Sequence, residues 1–140
     1  MKQNLALDHV GTLLVRAHRQ MATLWSSALK PVGLTLDMWI VLDVLAKKPG
    51  QSMTNVADQL SLNLPTVTKL MDRMVSDNLV YRKPHHSDRR RVLIFPTERG
   101  LELYHEASSI AENLERKVDS KVNDLQKLKS TLATIIEISD

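Results

Sequence analysis

Residues 63–100 read NLPTVTKLMDRMVSDNLVYRKPHHSDRRRVLIFPTERG, and the order of residue types in this stretch decides the fold. Asn63 is a good N-cap, and Pro65 suits the first turn of a helix, where a missing N–H does no harm. Val67, Leu70, Met71 and Met74 then fall on one stripe of that helix. The opposite face carries Pro65, Thr66, Thr68, Lys69, Asp72, Arg73 and Ser76, all small, hydroxylic or charged. Two β-prone runs follow, Leu79 to Arg82 and Val92 to Phe95, separated by the polar, proline-containing segment Lys83 to Arg91. They predict a hairpin with a charged tip. Thr97 is placed to cap a further helix, with Glu98 favourable in its first turn.

Upstream, Thr54 is a plausible cap for a short helix from Asn55 to Leu60, with Val56, Ala57 and Leu60 inward and a break at Ser61 to Asn63. Two short helices joined by such a turn make a helix-turn-helix, whose second helix reads the major groove of DNA with its N-terminal half. Threonines let a backbone approach the duplex, and Lys69 and Arg73, one turn apart, reach guanine acceptors or phosphates. A polar helix face is commonly no more than solvated surface. The hairpin shifts the balance: residues 82–91 hold Arg82, Lys83, Arg89, Arg90 and Arg91 against the single acid Asp88. A basic ribbon directly after a helix-turn-helix outlines a winged helix, and arginine at its tip suits a narrow minor groove of strongly negative potential. Asp88 is expected to brace a neighbouring arginine.

The charge distribution agrees. Net charge is +3 in all, with +4 on residues 63–100, +2 on residues 1–62 and −3 on residues 101–140. A polyanionic partner therefore meets the middle of the chain, and the ends have another task. At 140 residues the chain is about one domain long, with 43% hydrophobic and 25% charged residues. The absence of cysteine excludes disulfides, thiolate metal sites and thiol redox sensing. No apolar run approaches the roughly 18 residues of a membrane span, and the N-terminus carries no secretory pattern, so a cytoplasmic location is expected.

The ends are helical by pattern. Apolar residues from Asp8 to Leu29 keep a helical spacing up to Pro31 and Gly33, and Thr35 caps a densely apolar helix from Leu36 to about Ala46. Residues 101–119 keep a helical period, a break follows near residues 120–123, and a terminal helix carries Leu125, Leu128, Leu132, Ile135, Ile136 and Ile138. That last helix is too apolar to stand alone in water, so with the N-terminal helix it is expected to supply an interface.

The chain resembles the MarR (multiple-antibiotic-resistance regulator) family. The likeness rests on Asp88-Arg89-Arg90-Arg91 followed by Thr97-Glu98-Arg99-Gly100, similar to that family's wing pattern of Asp-x-Arg and then Leu-Thr-x-x-Gly, and on residues 60–74, similar to its recognition-helix region. Pro96 stands where the family usually has leucine, a departure that bears on how the wing strand exits. The resemblance covers essentially the whole chain. It implies a mostly α protein with a small β-wing: a winged helix-turn-helix (residues 35–100) between N-terminal (1–34) and C-terminal (101–140) dimerisation helices, intertwined as a homodimer on a pseudo-palindromic operator. Two recognition helices about 34–36 Å apart then read half-sites one turn apart.

On this reading the DNA-binding residues are Asn63, Pro65, Thr66, Thr68, Lys69, Arg73, Arg82, Lys83, Asp88, Arg89, Arg90 and Arg91, with Arg90 matching the family's wing arginine. The resemblance further implies a small aromatic or phenolic effector in a crevice lined by Arg16, His18, Arg19, Met21, Trp25 and Trp39. The residues themselves favour a plainer reading, in which Met21, Trp25 and Trp39 are core, because both tryptophans sit in apolar stripes. His85 and His86 lack a ligand partner at metal spacing, and no catalytic constellation, phosphate loop or cofactor motif stands out. Dispersed His9, His18 and His105 leave zinc sensing, known in some members of the family, as a lesser alternative. The function expected is a dimeric repressor released by a small ligand; the alternative is a helical dimeric protein-interaction module with an ordinary basic surface.

Overall fold

In a computed structural model, residues 9–138 are described. The chain divides into two compact units, Met1–Ala107 and Ser108–Asp140. The first begins with α1, Val10–Leu29; Asp8, the expected start of this helix, lies outside the described residues. A single 3-10 turn, Lys30–Val32, stops it at Pro31, and Gly33 takes a left-handed conformation at φ 73° that favours glycine. Thr35 then caps α2, Leu36–Lys47, its hydroxyl accepting from the Met38 amide at 3.2 Å. This helix buries Met38, Val41, Leu42 and Leu45.

The next helix, α3, spans Met53–Leu60, and its cap is Ser52 rather than the expected Thr54. Ser52 Oγ accepts from the Asn55 amide at 3.1 Å. The shift has a tertiary cause: Gln51 and Ser52 form a short strand, β1, paired with Ile94 and Leu93, which fixes where the helix begins. Gln51 is itself buried, its amide donating to the Lys48 carbonyl at 2.9 Å and its oxygen accepting from Asn55 Nδ2 at 3.0 Å.

A left-handed Ser61 turns the chain into α4, Leu64–Ser76, capped by Asn63 Oδ1 on the Thr66 amide at 2.9 Å. Val67, Met71 and Met74 of α4 are buried, and Leu70 is half-buried. Each fully buried side chain of this size contributes about 1.5–3 kcal/mol. The wing strands β2, Val80–Pro84, and β3, Val92–Pro96, pair antiparallel, with Val80 opposite Pro96 and Arg82 opposite Ile94. The sheet order β1-β3-β2 puts β3 in the centre. Pro96 closes the ladder, where its missing N–H removes no interior bond.

Helix α5, Glu98–Asp119, starts from Thr97, whose Oγ1 accepts from the Gly100 amide at 2.9 Å and donates to the Asn78 carbonyl at 2.7 Å. In the second unit, α6, Leu125–Glu137, is capped by Asp124 on the Lys127 amide at 3.0 Å, and Lys129 pairs with Glu115 of α5. No residue of α6 is buried, and Ile136 is 66% exposed.

Candidate nucleic-acid interface

The buried stripe of α4 seats it on the core and turns its other face outward. Asn63, Pro65, Thr66, Thr68, Lys69, Asp72, Arg73 and Ser76 are all exposed. Several of these groups are held by local bonds. The Asn63 oxygen serves the cap, Thr68 Oγ1 donates to the Leu64 carbonyl at 2.9 Å, and Arg73 lies 3.8 Å from Asp77. The Thr68 hydroxyl can still accept, and Thr66 and Lys69 present their side chains to solvent.

The wing tip is closed by His85 N donating to the Arg91 carbonyl at 2.8 Å and Arg91 N donating to the Asp88 carbonyl at 3.0 Å. Asp88 Oδ1 accepts from the Arg90 amide at 3.1 Å and from Arg90 Nε at 3.3 Å. The expected brace is therefore present, and it holds the arginine at its root while the side chain stays 94% exposed. Lys83, Arg89 and Arg91 are likewise exposed. Arg82 differs: its Nη2 lies 2.5 Å from Asp72 Oδ1 of α4, an ion pair that sequence reasoning did not anticipate. The wing and the first turn of α3 border an open cleft of about 620 Å³, lined by Arg90, Arg91 and Val92 of the wing and by Ser52 to Asn55.

The expected effector residues separate into two groups. Arg16, His18 and Arg19 are exposed on α1, whereas Met21, Trp25 and Trp39 are half-buried, so the core reading of these three does not hold. Trp25 and Trp39 meet at 5.0 Å between ring centroids, and Trp39 stacks on Tyr104 at 5.9 Å and 29°. Tyr104 Oη donates to Asp43 Oδ1 at 2.7 Å, and Lys47 holds the other carboxylate oxygen at 2.9 Å. Burial and the Asp43 carboxylate together push the Tyr104 phenol up to about 12. Trp39 Nε1 is buried without a hydrogen-bond partner among the described residues, a donor with an unmet preference. Sequence reasoning missed Tyr104 and Asp43, which come to the cluster only through the packing of α5 on α2.

His85 and His86 stack at 4.5 Å, and His85 Nδ1 lies 3.0 Å from Ser87 Oγ. Among the described residues no three His, Cys, Asp or Glu side chains converge as a metal site. His9, His18 and His105 are each exposed. Among the same residues, no helix is long and apolar enough to cross a membrane.

The sequence profile of the MarR family matches residues 34–92. An organic hydroperoxide resistance transcriptional regulator of Bacillus subtilis is 30% identical over 125 residues, covering 89% of this chain and 85% of its own. The chain belongs to the MarR family. Solved structures share its fold: the M. tuberculosis transcriptional regulator MosR, crystallised in complex with DNA, superposes at TM-score 0.85 with 23% identity, covering 94% of this chain and 96% of its own. CouR from Rhodococcus jostii, crystallised with p-coumaroyl-CoA, gives TM-score 0.85 with 27% identity, covering 98% of this chain and 97% of its own. MarR-family membership makes this protein a winged-helix relative of transcriptional regulators.

Proposed function

We propose that the protein is a homodimeric, sequence-specific DNA-binding repressor, resident in the cytoplasm and without catalytic activity, released from its operator by a small aromatic or phenolic effector. The observation that carries this reading is the pairing, on one compact unit, of a solvated polar face on α4 with an arginine held out from the wing by its own aspartate. In this reading Thr66, Thr68, Lys69 and Arg73 meet base edges and phosphates in the major groove. Arg90 enters the adjacent minor groove, and Lys83, Arg89 and Arg91 bind phosphates. Asn63 and Pro65 fix the start of the reading helix. MosR bound to DNA supports the polyanionic partner.

Dimerisation is supported by apolar side chains that the described structure leaves in solvent at both ends. Val10, Leu13, Val15 and Leu24 of α1 are exposed, as are Leu132, Ile136 and Ile138. Residues 1–34 and 101–140 supply the interface, and residues 35–100 the DNA contacts. The effector site is supported by the half-buried Trp25, Trp39 and Tyr104 cluster, with Arg16, His18 and Arg19 on α1, the helix that also carries Trp25, to receive an anion; CouR holding p-coumaroyl-CoA is in keeping with an aromatic ligand. An effector that binds one dimer geometry more tightly shifts the population towards it and changes the spacing of the two recognition helices. The interaction-module alternative lacks an account of the braced arginine. A gel shift with the DNA upstream of its own gene, against unrelated duplex of equal length, tests the reading. Preferential retardation of the upstream fragment is expected, and equal or absent retardation contradicts it.

A further inference from the structure

An aspartate on the DNA-facing side of a recognition helix repels the phosphates that the helix approaches. Asp72 occupies that place on α4, and its charge is met by Arg82 of β2 at 2.5 Å. Arg82 stands directly opposite Ile94 in the ladder, so the two side chains share a sheet face. Ile94 is fully buried, which fixes that face as the one towards the helices. The Arg82 side chain is only 34% exposed, against 94% for Arg90 at the tip. Its guanidinium therefore points back along the wing to α4 while the tip arginines point away. A short turn through Asn78, at φ 57°, also joins reading helix and wing, and the Leu79 amide donates to the Met74 carbonyl at 2.8 Å.

We propose that Asp72 and Arg82 form a strut that sets the angle between recognition helix and wing, so that Arg82 is a positioning residue and not one of the DNA contacts. One duplex must receive α4 in its major groove and the wing in the neighbouring minor groove together, and a fixed angle prepays the ordering of the two. The inference rests on the DNA-binding reading. It also accounts for an acid on the reading face, which is neutralised within the protein before DNA arrives.

The test is fluorescence anisotropy of the full-length protein on labelled upstream duplex across a salt series. The variants are Asp72→Asn, Arg82→Gln, Arg82→Lys and the double Asp72→Asn/Arg82→Gln. Both groups are solvent-accessible, so circular dichroism and melting of each variant should match the parent. The strut predicts that Asp72→Asn and Arg82→Gln each weaken binding about two- to fivefold. The double variant should lose no more than either single, and Arg82→Lys should regain part of the loss. The slope of log affinity against log salt should stay unchanged. A phosphate contact instead predicts that Asp72→Asn tightens binding, by removing a repelling charge, and that Arg82→Gln lowers the slope by about 1; that result overturns the strut and leaves the DNA reading intact. Parent protein that binds no duplex overturns both.

Discussion

Gly100, in the first turn of α5, passes so close to the Leu79 carbonyl that a β-carbon at this position would lie 2.1 Å from the oxygen. The same carbonyl accepts from the Thr97 amide at 3.0 Å, and Thr97 Oγ1 donates to the neighbouring Asn78 carbonyl at 2.7 Å. The turn that follows the recognition helix is thus clasped to the start of α5 by one backbone and one side-chain hydrogen bond. Glycine is required at residue 100 by this close approach rather than by its φ angle.

Gly100→Ala should accordingly destabilise the protein by about 1–3 kcal/mol, the range for overpacking in which neighbours must shift. Chemical denaturation compares the two proteins, with Gly11→Ala as a control, because a β-carbon there meets nothing within 4 Å. Equal midpoints for the Gly100 variant and its parent would show that the clasp is loose.

Tyr104 supplies a pH prediction. Its folded-state pKa is raised from 10.0 to about 12, by burial first and then by the hydrogen bond and charge of Asp43. Folding therefore favours the neutral phenol. This contribution to stability is complete below pH 10 and is lost as pH rises through 12. Tyrosinate absorbance of a Tyr81→Phe variant, which keeps Tyr104 as the sole tyrosine, should show ionisation near pH 12. Adding Asp43→Asn should move that ionisation down.

Much of the fold was legible in sequence, because the signals were local. The caps at Thr35, Asn63 and Thr97 and the apolar stripe of α4 each sit where the residue pattern predicts. What sequence missed was set by distant partners. Strand β1 has two residues, too few for an alternating pattern, and it moved the cap of α3 from Thr54 to Ser52. The ion pair of Arg82 with Asp72 was not legible either, since nothing local shows that the two side chains meet across the turn. Met21, Trp25 and Trp39 looked like core because a half-buried aromatic cluster and a core have the same periodicity. Tyr104 completes that cluster from a helix far along the chain.

Arg90→Ala should leave stability within about 0.5 kcal/mol of the parent, since its side chain is exposed. It should nevertheless weaken DNA binding, most strongly at sites with A·T-rich flanks, whose minor groove is narrow and strongly negative. Asp88→Ala should weaken binding by less and in the same direction, because the arginine keeps its charge and loses its brace. Parallel titrations on A·T-rich and G·C-rich flanking sequences check both. An equal loss on the two flanks would place Arg90 on phosphates instead.

Binding of a small aromatic carboxylate should quench tryptophan fluorescence, because Trp25 and Trp39 are the two tryptophans of the chain and lie 5.0 Å apart. The same compound should lower affinity for duplex DNA, and Trp39→Phe should diminish both effects together. A ligand that releases DNA with no change in fluorescence would place the effector elsewhere.

On the proposed reading, this protein reads duplex DNA through a basic wing and the polar face of α4. The most direct measurement is the equilibrium affinity for its own upstream duplex and for a scrambled duplex, each by anisotropy from about 50 to 200 mM salt. Both affinities should fall steeply, linear in log salt, with the upstream duplex bound more tightly throughout. A flat salt response, or identical affinities for the two duplexes, would contradict that reading.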